Sequence, residues 1–172
     1  MVVRVGIIMG SDSDLPIMQA AADVLAEMRI PCTTDIVSAH RTPDLLYDYA
    51  QNAEQRGYDV IIAGAGGAAH LPGMVASISC LPVIGVPISA TKLAGQDALL
   101  SIVQMPAGVP VACVAIDNAK NAGILAAQML SISDPDIRRR VRDFKHSLSE
   151  MVKQKAALLN RTNISRDNNG GS

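Results

Sequence analysis

The chain has 172 residues, 49% hydrophobic and 18% charged, and its 15 Lys and Arg against 16 Asp and Glu leave a net charge of -1. These values suit one globular domain. They argue against a disordered chain and against the basic excess usual in a duplex nucleic-acid binder.

Aromatic residues make up only 2% of the chain, with no Trp, so stacking platforms for bases or sugars are not expected. The apolar stretches are broken well short of the ~18 residues a membrane span needs. No basic segment and cleavage site precede the first strand-like run, so no signal peptide is expected. Cys32, Cys80 and Cys113 are scattered, without CxxC or metal-ligand spacing. They read as small buried hydrophobes of a protein kept in the reducing cytoplasm.

Val2 to Met9 is an apolar, branched run bounded by Gly10, which predicts a strand buried on both faces. A polar loop, Gly10-Ser11-Asp12-Ser13-Asp14, follows it. Leu15, Met18, Ala21, Ala22, Leu25 and Met28 then recur at helical spacing, with Pro16 acceptable in the first turn. The unit repeats. Cys32 to Val37 is strand-like, and Ser38-Ala39-His40-Arg41 is a loop. Thr42-Pro43-Asp44 starts a helix expected to run to about Gly57, with Thr42 as N-cap.

Tyr58 to Ala63 predicts a third strand, followed by a Gly- and Ala-rich loop from Gly64 and a short helix over Met74 to Ser79. Pro82 to Pro87 predicts a fourth strand, with a helix near Gln96 to Val103. Val109 to Ile116 predicts a fifth strand, and Asn118 to Leu130 an Ala-rich helix.

Strands alternate with helices five times, which predicts an α/β fold: a three-layer sandwich around a five-stranded, flavodoxin-like parallel sheet. Beyond Asp134, the residues Ile137, Val141, Phe144, Leu148 and Met151 fall at spacings of three and four. They predict a C-terminal amphipathic helix that packs on its own domain or on a neighbouring subunit. Residues 1–160 are therefore taken as one domain and 161–172 as a loose tail.

In an open parallel sheet, ligands bind in the crevice at the carboxyl ends of the strands. The loops after the first three strands hold nearly all the unusual polar residues. Gly10 to Asp14 combines hydroxyls with free N–H groups at a helix start, which suits a phosphate. It matches neither the Walker A pattern nor G-x-G-x-x-G. Asp14 is the candidate acceptor for ribose hydroxyls, and plain helix capping is the alternative. Arg41 stands before a helix start as a phosphate anchor. His40 beside it is the best proton-transfer candidate, because imidazole changes charge near neutral pH. A structural or solvated histidine is the plainer alternative. The glycines and alanines after the third strand permit close backbone approach, and His70 could donate to a substrate carboxylate or simply cap a helix. His146, on the late helix, is expected to be exposed and carries no role.

Gly10-Ser11-Asp12-Ser13-Asp14, Ser38-Ala39-His40-Arg41-Thr42-Pro43 and Gly64 to Gly73 together resemble the three signature loops of the N5-carboxyaminoimidazole ribonucleotide mutase (PurE) family of purine biosynthesis. The resemblance covers about Val3 to Leu130, including Ser101-Ile102-Val103-Gln104-Met105-Pro106. It implies a reaction without metal or cofactor, in which the carboxylate of a ribonucleotide substrate moves from the exocyclic nitrogen to the ring carbon. It assigns His40 to acid–base catalysis, Ser11, Ser13, Ser38 and Arg41 to the phosphate, and Asp14 to the ribose. Ala65, Gly66, His70 and Leu71 are assigned to the base and the migrating carboxylate. It also implies a homo-octamer. The alternatives are direct carboxylation of aminoimidazole ribonucleotide by CO2, a carboxylase acting on another ring, and a non-catalytic nucleotide-binding module. Within the family, the loops look like the mutase branch.

Overall fold

The computed structural model describes residues 4–167, with side chains described to residue 159. Five strands form one parallel sheet: β1 (Val5–Met9), β2 (Cys32–Ile36), β3 (Val60–Gly66), β4 (Val83–Ile88) and β5 (Ala112–Cys113). Their order is β2-β1-β3-β4-β5, the flavodoxin-like arrangement expected. Among the described residues, six α-helices accompany them: α1 (Leu15–Glu27), α2 (Pro43–Gln51), α3 (Leu71–Ile78), α4 (Gln96–Val103), α5 (Ala119–Leu130) and α6 (Pro135–Asp167).

Side chains alternate across a strand, so the central strands feed two cores. Val5, Ile7 and Met9 of β1 join α1, α5 and the start of α6 on one face. Ile8 joins α2, α3 and α4 on the other. Residues such as Ile7, Ile62 and Ile84 are fully buried. Each contributes about 1.5–3 kcal/mol of transfer free energy to holding the layers together. The order of the strands reverses between β1 and β3. Their carboxyl ends diverge there into loops that leave the sheet in opposite directions, and a crevice opens.

Several boundaries differ from expectation for physical reasons. Val2 and Val3 lie outside the described residues. β2 is an edge strand with Thr34, Asp35 and Ile36 exposed, which explains its polar sequence. β3 runs on through Gly64, Ala65 and Gly66 because these pair in register with Val86, Pro87 and Ile88 of β4. α2 ends at Gln51, and Gly57 closes a later turn. α3 begins at Leu71, earlier than Met74, with Pro72 in its first turn. β5 keeps only two paired residues of the expected eight-residue run.

Thr42 precedes α2 but does not cap it. Its hydroxyl donates to Ser38 O at 3.1 Å and accepts from Ser38 N at 3.1 Å. Cys80 is exposed, contrary to the expectation of a buried residue, whereas Cys32 and Cys113 are half-buried. The C-terminal helix continues to Asp167, past the expected boundary at residue 160. Residues 168–172 of the expected tail lie outside the described residues. Ile137, Val141 and Phe144 of α6 join the core on the β1 face that also packs α1 and α5. His146 is exposed.

Candidate active site

The carboxyl ends of β1, β2 and β3 converge on a cleft of about 380 Å³. Every residue singled out from the sequence lines it: Ser11, Ser13, Asp14, Ser38, His40, Arg41, Ala65, Gly66, His70 and Leu71.

The loop after β1 tightens at once into a single 3-10 turn, Asp12–Asp14. Ser11 accepts from Ser13 N at 3.4 Å and donates to Asp12 at 3.0 Å. Asp14 is only 5% exposed. Burial raises its carboxyl above the ordinary value of 3.8, against the lowering effect of hydrogen bonds from Ser11, Ser13 and Gly10 and of the Arg41 charge. A carboxylate held this way gains from new donors, and paired sugar hydroxyls are such donors.

The turn from Ser38 to Thr42 presents His40 and Arg41. Ser38 is 8% exposed and accepts from both Arg41 N and Arg41 Nε at 3.3 Å. Arg41 Nη2 donates to Gly10 O at 2.9 Å, which ties the loop after β2 to the loop after β1. The guanidinium is thus placed in the cleft with its remaining N–H groups free for an anion.

His70 sits at the start of α3, where its side chain makes no capping bond. Its Nδ1 lies 2.7 Å from His40 Nε2, and the two rings meet edge to face. One proton lies between the nitrogens, so one imidazole donates and the other accepts. Neither residue's helical context predicts this contact; it follows from β1, β2 and β3 ending side by side.

Gly66 closes the wall. A methyl group there would come within 2.5 Å of Ala90 Cβ and 3.0 Å of Ile88 O, so only glycine admits this approach. Ala90 reaches the cleft from the loop after β4 and was not among the sequence candidates, nor were Gly10, Ala39 and Ala68 as individual residues. The signal for Ala90 was positional: Ser89-Ala90-Thr91 follows a buried strand at the same sheet edge.

The AIR carboxylase family matches residues 4–151. The N5-carboxyaminoimidazole ribonucleotide mutase of Thermotoga maritima is 64% identical over 156 residues, covering 91% of each chain. That of Pyrococcus horikoshii is 59% identical over 155 residues, covering 90% of this chain and 88% of the relative. Among solved structures, Treponema denticola PurE superposes with a TM-score of 0.82 at 29% identity, covering 90% of this chain and 97% of that one. With most of its length matched by the family and by relatives of this identity, the chain belongs to the AIR carboxylase family.

Proposed function

We propose that this protein is an isomerase of purine biosynthesis that converts N5-carboxyaminoimidazole ribonucleotide into 4-carboxyaminoimidazole ribonucleotide. The observation that carries this reading is the meeting of a fixed guanidinium, Arg41, and a proton-sharing pair, His40 and His70, in one cleft. Such a cleft suits an anionic substrate whose reacting ring needs protons moved. The mutase relatives supply the identity of that substrate.

In this mechanism Arg41, Ser11, Ser13 and Ser38 hold the phosphate, and Asp14 accepts from the ribose hydroxyls. Ala65, Gly66 and Leu71 line the space for the base. Protonated His40 gives its proton to the exocyclic nitrogen. The bond from that nitrogen to the carboxylate carbon breaks, its electron pair stays on nitrogen, and CO2 is released beside the ring. The enamine-like ring carbon then attacks the CO2 and forms the new carbon–carbon bond. Neutral His40 removes the proton from that ring carbon and returns to its starting state. His70 holds His40 in orientation and is placed to donate to the carboxylate. Confinement keeps the CO2 at high effective concentration between the two steps.

The same proposal places the protein in the cytoplasm as a homo-octamer. Three unpaired cysteines fit a reducing compartment. Leu148, Met151 and Val152 extend the buried stripe of α6 into an exposed apolar face that suits another subunit.

The test is the fate of the carboxylate. Substrate labelled in that group is converted in the presence of unlabelled bicarbonate. Product that retains the label supports transfer inside the closed site, and product that carries only solvent carbon overturns it.

A further inference from the structure

The loop between β4 and α4, residues 89–95, brings Ala90 to the cleft wall, where it meets Gly66 at near-backbone distance. Asp117, in the segment after β5, holds it there. Its amide donates to Pro87 O at 2.9 Å. Its carboxylate accepts from Ser89 N at 2.9 Å and from the Ser89 hydroxyl. The far side of the loop is tied by Thr91 Oγ1, which donates to Asp97 at 2.7 Å.

Backbone conformation makes the same point independently. Asp117 (φ 59°) and Ala94 (φ 50°) occupy the left-handed region without being glycine. Among the described residues, the third such case is Arg29, just past the end of α1. There Arg29 N bonds Ala26 O and Ile30 N bonds Leu25 O, an ordinary way to end a helix. Of the other two, Ala94 lies within the 89–95 loop and Asp117 is bonded to its first residue, Ser89. Such backbone is disfavoured and persists where the surroundings enforce it, which is common at ligand sites. Gly95 (φ 82°) continues the tight path, its Cα facing Ile116 and Ser89.

We propose that Asp117 is a positioning residue of the site: it clamps Ser89, holds Ala90 against Gly66, and so seals the wall behind which released CO2 is kept. Asp117 itself does not line the cleft; of the loop it holds, Ala90 does. The proposal rests on the reaction given above, and it predicts a specific fault when the clamp is lost. CO2 escapes between the two steps, and aminoimidazole ribonucleotide leaves in place of carboxylated product.

The test compares the full-length protein with Asp117→Gly and Asp117→Asn. Glycine accepts the backbone conformation and removes the clamp. Asparagine tolerates the conformation and keeps an acceptor for Ser89 N. The readout is the ratio of carboxylated product to released aminoimidazole ribonucleotide, corrected for spontaneous loss of CO2. Asp117→Gly is expected to lower that ratio several-fold with affinity for ribose 5-phosphate kept, and Asp117→Asn to recover most of it. Hydrogen exchange of the segment 88–96 is measured on the same three proteins. It is expected to quicken in the glycine variant and return in the asparagine variant. An unchanged product ratio in Asp117→Gly overturns the seal, and unchanged exchange overturns the clamp. Absence of any conversion by the unaltered protein would instead refute the assigned reaction, and the exchange data would still decide the clamp.

Discussion

Replacing Arg41 by Ala removes the only guanidinium lining the cleft among the described residues, and its effect can be sized from the contacts. A guanidinium carries five N–H donors. Nε is engaged by Ser38 Oγ at 3.3 Å and one Nη2 hydrogen by Gly10 O at 2.9 Å, which leaves three for a phosphate. The supporting turn is itself fixed, because Ser38 and Thr42 exchange hydrogen bonds at 3.1 Å and Ser38 is buried. Little ordering is therefore left to offset the contact. A hydrogen bond to a charged group contributes about 1.5–3 kcal/mol. Arg41 is exposed, and solvent screening moves the expectation to the lower part, about 1.5–2 kcal/mol. That is a loss of about 10- to 30-fold in affinity. Calorimetric titration with ribose 5-phosphate and with ribose separates the contributions. The loss should appear for the phosphorylated ligand and shrink at high salt, while ribose binding stays as before. Arg41→Lys should recover only part, since an ammonium cannot hold Ser38, Gly10 and a phosphate together. Equal affinity for ribose 5-phosphate in Arg41→Ala, or an equal loss for both ligands, refutes the anchor.

His40→Asn should lower kcat by about 10²- to 10⁴-fold, the usual contribution of acid–base catalysis, and leave ribose 5-phosphate affinity within about two-fold; a nearly unchanged kcat would remove His40 from proton transfer. Asp14→Asn separates binding from stability. Burial raises the Asp14 carboxyl, so its share of stability is fully present below the ordinary value of 3.8 and is lost as pH rises through the raised value. At neutral pH the asparagine variant should match or exceed the unaltered protein in urea unfolding, while its affinity for ribose-bearing ligands falls. A variant less stable at pH 7 than at pH 4, relative to the unaltered protein, contradicts that sign.

The sheet was legible because buried parallel strands carry nearly unbroken apolar runs, and β1, β3 and β4 all do. The site was legible because its polar residues fall in loops after strands, where a parallel sheet gathers them. What escaped depended on neighbours. Gly64 to Gly66 resembles loop in sequence, yet pairs as strand because β4 lies alongside. The fifth apolar run shrinks to two paired residues because it contains Pro110, which lacks an N–H, and lies at the sheet edge. Thr42 matches a capping pattern, but its hydroxyl bonds the Ser38 backbone instead of an α2 amide. Cys80 follows an apolar helix and still faces solvent, because it sits in the turn before β4. The contact between His40 and His70 joins residues thirty positions apart, and Ala90 reaches the cleft through a clamp placed after β5. No local pattern encodes either.

The central claim is that the substrate carries its own carboxylate into the site. Purified protein is given N5-carboxyaminoimidazole ribonucleotide in bicarbonate-poor buffer, and formation of 4-carboxyaminoimidazole ribonucleotide is followed against the reaction without enzyme. Product well above that background is the predicted result. Product obtained only from aminoimidazole ribonucleotide with added CO2 would contradict the account and make the protein a direct carboxylase.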